Sequence, residues 1–201
     1  MKKLVGMTAA LILFSGCVET DEPAADSGAT DDAQEADAAT VGDVLSAGGW
    51  GPLRIGMSRD EVVAAVGGPA DPEAMGSPEP EFCDQFPPAQ APTGMFVMIE
   101  SGVLTSISLS AGSTLQTSEG LSVGDSADAV RAAYGDRLDV LPHNYIGLPA
   151  EYLTVWSTGE ITENGTSDEN ARGIRYETNA EGVIELIHAG GPSIQYVEGC
   201  L

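Results

Sequence analysis

The sequence predicts an α+β protein made of two tandem repeats, each with short helices packed on an antiparallel sheet of three to four strands. Three observations carry this. The phrase "LRIGMSRDEVVAAVG" at 53–67 returns as "LSVGDSADAVRAAYG" at 121–135, and a constant offset held over so many positions argues for a duplicated unit. Paired apolar runs with period two follow each phrase, as half-buried strands require. The strands come in runs with no helix between successive members, which argues against a parallel βαβ sheet.

Each repeated phrase reads as a helix entry. Ser58 followed by Glu61 is a capping box, with Asp60 and Glu61 placing negative charge at the helix's positive end. Val62, Val63 and Val66 supply the apolar stripe, and Gly67–Gly68 before Pro69 ends it. In the second phrase Ser126 and Asp128 start the helix, Ala129, Val130, Ala133 and Tyr134 form its buried side, and Gly135 stops it.

The strands follow. "MFVMIE" and "LTSISLS" flank Ser101–Gly102, with Val97, Ile99, Ile107 and Leu109 at alternate positions. "GIRYET" and "VIELIHA" flank Ala180–Glu181–Gly182 in the same way, and Gly102-Val103-Leu104 matches Gly182-Val183-Ile184. "EYLTVWS" and the terminal "SIQYVEG" are further strands, and the Pro-rich 76–94 stretch is loop with one strand near Phe82.

The N-terminus predicts export. Lys2 and Lys3 form a positive n-region ahead of the apolar "LVGMTAALILF", which is too short to span a bilayer as a mature helix. Leu13 or Phe14, then Ser15, Gly16 and Cys17, resemble the lipobox of bacterial lipoproteins. That resemblance implies a diacylglycerol thioether on Cys17, cleavage before it and acylation of the new amine, which together anchor stably to a membrane. An ordinary cleaved signal is the alternative. In Gram-negative lipoproteins Asp after the cysteine favours the inner membrane; Val18 here favours the outer one.

Residues 18–47 carry Ala, Asp and Glu without a basic residue or an apolar period, so the expectation is an acidic disordered tether. The domain reading is therefore signal peptide and lipobox 1–17, tether 18–47, repeat one 48–116 and repeat two 117–201. Roughly 155 residues remain for folding, enough for one good core or two small fused ones.

The charge of −23 and six arginines without a lysine in the mature chain exclude the basic footprint that nucleic-acid binding needs. Charge-driven attachment to an anionic membrane is disfavoured for the same reason. With Cys17 assigned to lipid, Cys83 and Cys200 form an even pair, which in an exported protein is usually a disulfide. A loop this long stabilises by roughly 3–5 kcal/mol in the chain-entropy model; two buried free thiols are the alternative.

The phrase G-x-L-x-[IV]-G-x-S-x-x-x-V-x-x-x-x-G followed by a hairpin with a central Gly-Val resembles the small envelope domains of the SmpA/OmlA lipoproteins. Two such units in tandem resemble the β-lactamase inhibitor protein fold. The first resemblance implies support of outer-membrane protein assembly, the second a concave sheet that grips an enzyme. The long acidic tether and the single cysteine pair depart from both, and no functional residue of either is carried over.

Catalysis is poorly signalled. His143 in "LPHNY" reads as a loop residue and His188 in "VIELIHA" as a strand-end side chain, neither in a nucleophile elbow or metal motif. "ETNAEGV" at 177–183 begins like a calcium loop but places His188 where the bidentate glutamate belongs. "TENGTSDEN" at 162–170 reads as an exposed loop. No metal or cofactor is expected beyond the covalent lipid. If Leu153 and Val155 face the helices, Tyr152, Thr154 and Trp156 line the opposite face and form the candidate partner-binding surface, which Tyr145, Tyr176 or Tyr196 could extend. Whether Trp156 is surface or core stays open; Trp50 reads as packing. The expected function is non-catalytic binding of another envelope protein by a membrane-anchored chain. A hydrolase or metal-dependent enzyme is the alternative, and a structural spacer comes third.

Overall fold

The computed structural model describes residues 44–74, 77–162 and 165–200. The signal peptide, Cys17 and residues 18–43 of the tether lie outside the described residues. In chain order the elements are β1 (Val44–Leu45), β2 (Gly49–Trp50), β3 (Leu53–Arg54), α1 (Arg59–Val66), β4 (Cys83–Phe86), β5 (Met95–Glu100), β6 (Val103–Leu109), β7 (Gln116–Thr117), α2 (Ala127–Tyr134), β8 (Asp139–Pro142), β9 (Glu151–Thr158), β10 (Arg172–Thr178) and β11 (Ile184–Gly190). Short 3-10 turns occupy Gly135–Arg137 and Pro192–Gln195.

Seven strands form one sheet in the order β4-β5-β6-β11-β10-β9-β8, every neighbouring pair antiparallel. β1 pairs with β7 in parallel and β2 with β3 antiparallel. The class is α+β, as expected, but three strands and four strands are joined edge to edge in a single sheet at β6 and β11, where separate sheets were expected. No described helix is long and apolar enough to cross a membrane.

Both helices start where the sequence places them. Ser58 accepts from the Glu61 backbone while the Glu61 carboxylate accepts from the Ser58 N–H, closing the capping box; Ser126 accepts from the Ala129 N–H. Both end at a glycine with positive φ, 83° at Gly67 and 56° at Gly135, where a side chain would be strained. Each helix entry is bonded to the hairpin that follows it in sequence. Gly56 donates to Leu104 O at 2.8 Å and Gly124 to Ile184 O at 2.9 Å; Arg59 donates to Gly102 O and Ala127 to Gly182 O, both at 2.8 Å.

One face of the sheet carries the core. Val97, Ile99, Leu104, Ile107 and Leu109 meet Leu153, Val155, Ile174, Tyr176, Ile184, Ile187 and Ala189 there, under Val62, Val66, Ala127, Val130 and Tyr134 of the helices. The helix stripes are narrower than expected. Val63 is 38% exposed and Ala133 is exposed too, because the sheet meets only the line of residues spaced three or four apart. Inside this core Tyr134 and Tyr176 share a 2.8 Å hydroxyl contact, extended to Glu119 and Thr117.

Two boundaries move. Leu45, inside the segment assigned to the tether, is fully buried and pairs with Thr117, so the folded body begins before residue 48. The terminal "SIQYVEG" is not a strand. Pro192, which cannot donate to a ladder, opens a 3-10 turn, and Gln195 ties that turn to Thr166 N and O through its side chain. The segment then reaches Cys200, whose disulfide to Cys83 spans a sequence separation of 117 and links the C-terminus to β4.

Candidate binding cleft on the outer face of the sheet

Alternation along the strands sends the second set of side chains to the face away from the helices. Register aligns them in one row across the sheet: Phe96, Ser108, His188, Arg175, Thr154 and Asp139 are successive cross-strand partners. The next row runs Leu186, Glu177, Tyr152 and Leu141. This face is polar where the other is apolar, and part of it is roofed.

The roof has two sources. The 143–149 loop leaves β8, and its His143, a loop residue as expected but a buried one, stacks on Tyr152 with ring centroids 4.7 Å apart. From the other side, the segment after β11 crosses over Arg175, whose Nη1 donates to Ile194 O at 3.1 Å. The Arg175 guanidinium lies 3.6 Å from the centre of the Tyr152 ring, a cation–π contact away from water.

Between these covers is a cleft of about 180 Å³ that includes Asp139, Asn144, Tyr152, Thr154, Trp156, Arg175 and Gln195 in its walls. All three residues expected to form a partner surface, Tyr152, Thr154 and Trp156, therefore meet in one place. They do not form an open aromatic face: Tyr152 is 2% and Thr154 7% exposed, and only Trp156 is half-buried. Trp156 lies over Gly173, its register partner; a Cβ there would sit 2.6 Å from the indole Cε3. Leu153 and Val155 do face the helices.

Next to the cleft is a chain of polar contacts. His143 Nδ1 accepts from the backbone N–H groups of Tyr145 and Ile146, so its proton is on Nε2, which donates to Glu177 Oε1 at 2.9 Å. Glu177 Oε2 lies 3.7 Å from His188 Nε2, and His188 Nδ1 meets Ser108 Oγ at 2.8 Å. Burial pushes the Glu177 carboxyl up, but the two histidines outweigh it and hold it below the ordinary glutamate value. Burial also lowers the Arg175 guanidinium, against the opposing charge of Tyr152, Glu177 and Asp139. Ser108 and His188 border a second, shallower depression of about 500 Å³ with Phe96, Leu186 and Cys200.

The loop that roofs the cleft exposes large apolar side chains. Tyr145 is 66%, Ile146 49% and Leu148 68% exposed, next to Leu141 at 50% on edge strand β8. The loop is nonetheless tied down: His143 N donates to Ala150 O, Gly147 N to His143 O and Ala150 N to Gly147 O. The sequence signal for it was Tyr145 alone; its neighbours carried no period that marked them. No group of three or more His, Cys, Asp or Glu side chains placed to hold a metal ion occurs among the described residues. Comparison with protein-family models, curated proteins and solved structures finds no match to this chain.

Proposed function

We propose that the protein is a lipid-anchored module of a bacterial cell envelope that binds another envelope protein and catalyses no reaction. Cys17 carries the lipid, in the outer membrane if the host is Gram-negative, and the folded body, which begins before residue 48, is built from two copies of one α+β unit that divide between 116 and 117. The duplicated phrase supports the second point, together with helix-entry hydrogen bonds that recur between Gly56 and Leu104 and between Gly124 and Ile184.

The observation that carries the binding reading is the 143–149 loop. Three neighbouring large apolar side chains are exposed on a segment whose backbone is already bonded in place. Contiguous exposed apolar area marks interaction sites, and a loop ordered beforehand loses little entropy on docking. The Trp156 cleft adjoins it, so one partner can engage both. The test is capture of envelope proteins in mild detergent by the full chain: a Tyr145→Ser/Leu148→Ser variant must lose a partner that the wild type retains.

A second reading, hydrolysis, is favoured by the order Ser108–His188–Glu177, which places a hydroxyl, a base and a carboxylate in sequence. An alkyl fluorophosphonate probe decides it. Labelling of Ser108 that disappears in His188→Ala supports the enzyme; an unlabelled chain supports the binding module.

A further inference from the structure

We infer that His143 is a proton-sensitive latch on the 143–149 loop: the neutral imidazole holds the loop's tip in shape, and a proton on Nδ1 releases it. This deepens the proposed function by giving the docking surface a regulator, and its consequence for a partner rests on that reading.

The latch is a set of bonds made by one ring. Nδ1 accepts from the Tyr145 N–H at 3.2 Å and from the Ile146 N–H at 3.3 Å, and neither amide has another partner among the described residues. The arrangement imitates an Asx turn, in which a short side chain stands in for a backbone acceptor two residues on. An imidazole accepts at Nδ1 only while that nitrogen carries no proton; in the imidazolium both ring nitrogens donate. A proton on Nδ1 therefore removes the acceptor and sets three N–H groups against one another. The ring has no water to turn to, since His143 is 8% exposed and stacks on Tyr152. The bonds at the base of the loop, from His143 N to Ala150 O, Gly147 N to His143 O and Ala150 N to Gly147 O, join backbone groups only and do not titrate. Release is thus confined to residues 144–146, where Tyr145 and Ile146 present exposed apolar surface.

The groups around the ring act in both directions. On β10, Glu177 accepts from Nε2 at 2.9 Å; its carboxylate favours the imidazolium and keeps hold of the charged ring. His188 on β11 lies 3.7 Å from the other oxygen of Glu177, so a proton there competes for the same carboxylate. Arg175, also on β10, lies 3.6 Å from the centre of the Tyr152 ring on which His143 stacks, and opposes a second cation there. On β9, Tyr152 keeps its hydroxyl proton because burial pushes its pKa up, and Glu151 is paired with Arg131 of α2. Asp139 on β8 lines the neighbouring cleft, and in the loop itself the Tyr145 ring is 6.3 Å from the imidazole. The released form keeps the Glu177 contact and lacks the conflict of donors, so it holds the proton more tightly than the latched form. The latched fraction must then fall as pH falls, with the latched-to-released ratio dropping by at most about tenfold per pH unit for one proton.

The test is a titration of the full-length 15N-labelled chain in detergent from about pH 8 to about pH 5, the span in which imidazoles ordinarily change charge. The chain has two histidines, and His143→Asn removes one ring and so names its signals. At the upper end Nδ1 of His143 should be the unprotonated ring nitrogen. Its protonation should move the Tyr145 and Ile146 amide signals with the same midpoint, while the Gly147 and Ala150 amides stay. His143→Asn sets an acceptor oxygen in place of Nδ1 and cannot titrate, so both tip amides should hold their bonded positions across the range. An imidazolium with unmoved Tyr145 and Ile146 amides, a His143 neutral down to the pH at which the chain unfolds, or an Nδ1–H tautomer at pH 8 overturns the latch. If His143→Asn fails to fold, the wild type still decides: tip amides whose midpoint matches neither histidine overturn the latch. Capture from solubilised envelopes should be about tenfold or more weaker at pH 5 than at pH 8 for the wild type, since two hydrogen bonds are lost, and unchanged for His143→Asn. Constant capture alongside titrating amides keeps the latch and removes docking through this loop, so the two failures are distinguishable.

Discussion

Ser108 and His188 are cross-strand partners where β6 meets β11, separated by 80 positions and joined Oγ to Nδ1 at 2.8 Å. The register around them is symmetric. Ile107 faces Ala189, and Leu109 faces Ile187; displacing either pair by that same offset turns it into the other. Every antiparallel ladder has this symmetry, but the offset of 80 is also the one that carries Gly102-Val103-Leu104 onto Gly182-Val183-Ile184. Strands β8, β9 and β10, the 143–149 loop and the cleft all lie to one side of this join.

The Cys83–Cys200 bridge closes the longest covalent loop in the folded body, tying the segment that roofs Arg175 to β4. Reduction should lower stability by roughly 3–5 kcal/mol in the chain-entropy model, read as a fall in the denaturation midpoint with dithiothreitol. A non-reduced digest should contain the linked peptides; two thiols that alkylate without reduction would contradict the pairing.

Gly173 faces Trp156 so closely that an added methyl would meet the indole at 2.6 Å and Val155 O at 2.7 Å. Gly173→Ala should destabilise by about 1–3 kcal/mol through overpacking. Trp156→Ala removes the indole and leaves the Val155 carbonyl, so the double variant should regain part of the loss relative to the two single changes summed. Additive thermal or urea midpoints would show that the ring does not rest on the glycine.

Glu177 is held below the ordinary glutamate value by His143 and His188 despite its burial. A depressed folded-state value means its stabilising contribution is present above pH 4.5, the ordinary glutamate value, and is lost as pH falls through the lowered one. Glu177→Gln should therefore cost about 1–3 kcal/mol near neutrality, and its gap to wild type should close below the ordinary value. Urea midpoints at neutral pH and under acid conditions measure this; a gap constant across the range would rule out the ionised carboxylate as the cause.

Cys17 follows a lipobox-like run of Ser15 and Gly16. Cys17→Ser should move the protein from the membrane fraction to the soluble one and abolish incorporation of labelled palmitate. Equal membrane association of variant and wild type would remove the anchor.

What the sequence made legible was local. Caps, glycine stops and two-residue hairpins are written within a few positions, and Ser58, Gly67 and Gly102 sit where those patterns put them. Cysteine parity also sufficed for the disulfide. The short strands β1, β7 and β8 escaped notice because two to four residues carry too little period to register. The candidate site was legible in part: parity along β9 grouped Tyr152, Thr154 and Trp156, but their burial depends on His143 and Ile194, which arrive from distant segments. Arg175 in "GIRYET" has the parity of a solvent-facing residue, and the C-terminal segment that crosses it helps to bury it. Pairing of β10 with β11 and the fold of the 143–149 loop bring His143, Glu177 and His188 together, which no spacing in the chain announces.

The proposed function puts partner docking at the 143–149 loop. A photo-activatable amino acid placed at Tyr145 in the full chain, irradiated in intact cells, tests it most directly, with the same group at Val63, an exposed position on α1, as the comparison. Docking at this loop predicts a discrete cross-linked adduct with one envelope protein from position 145 and none from position 63. Adducts of equal yield from both positions, or no adduct from 145, would contradict it.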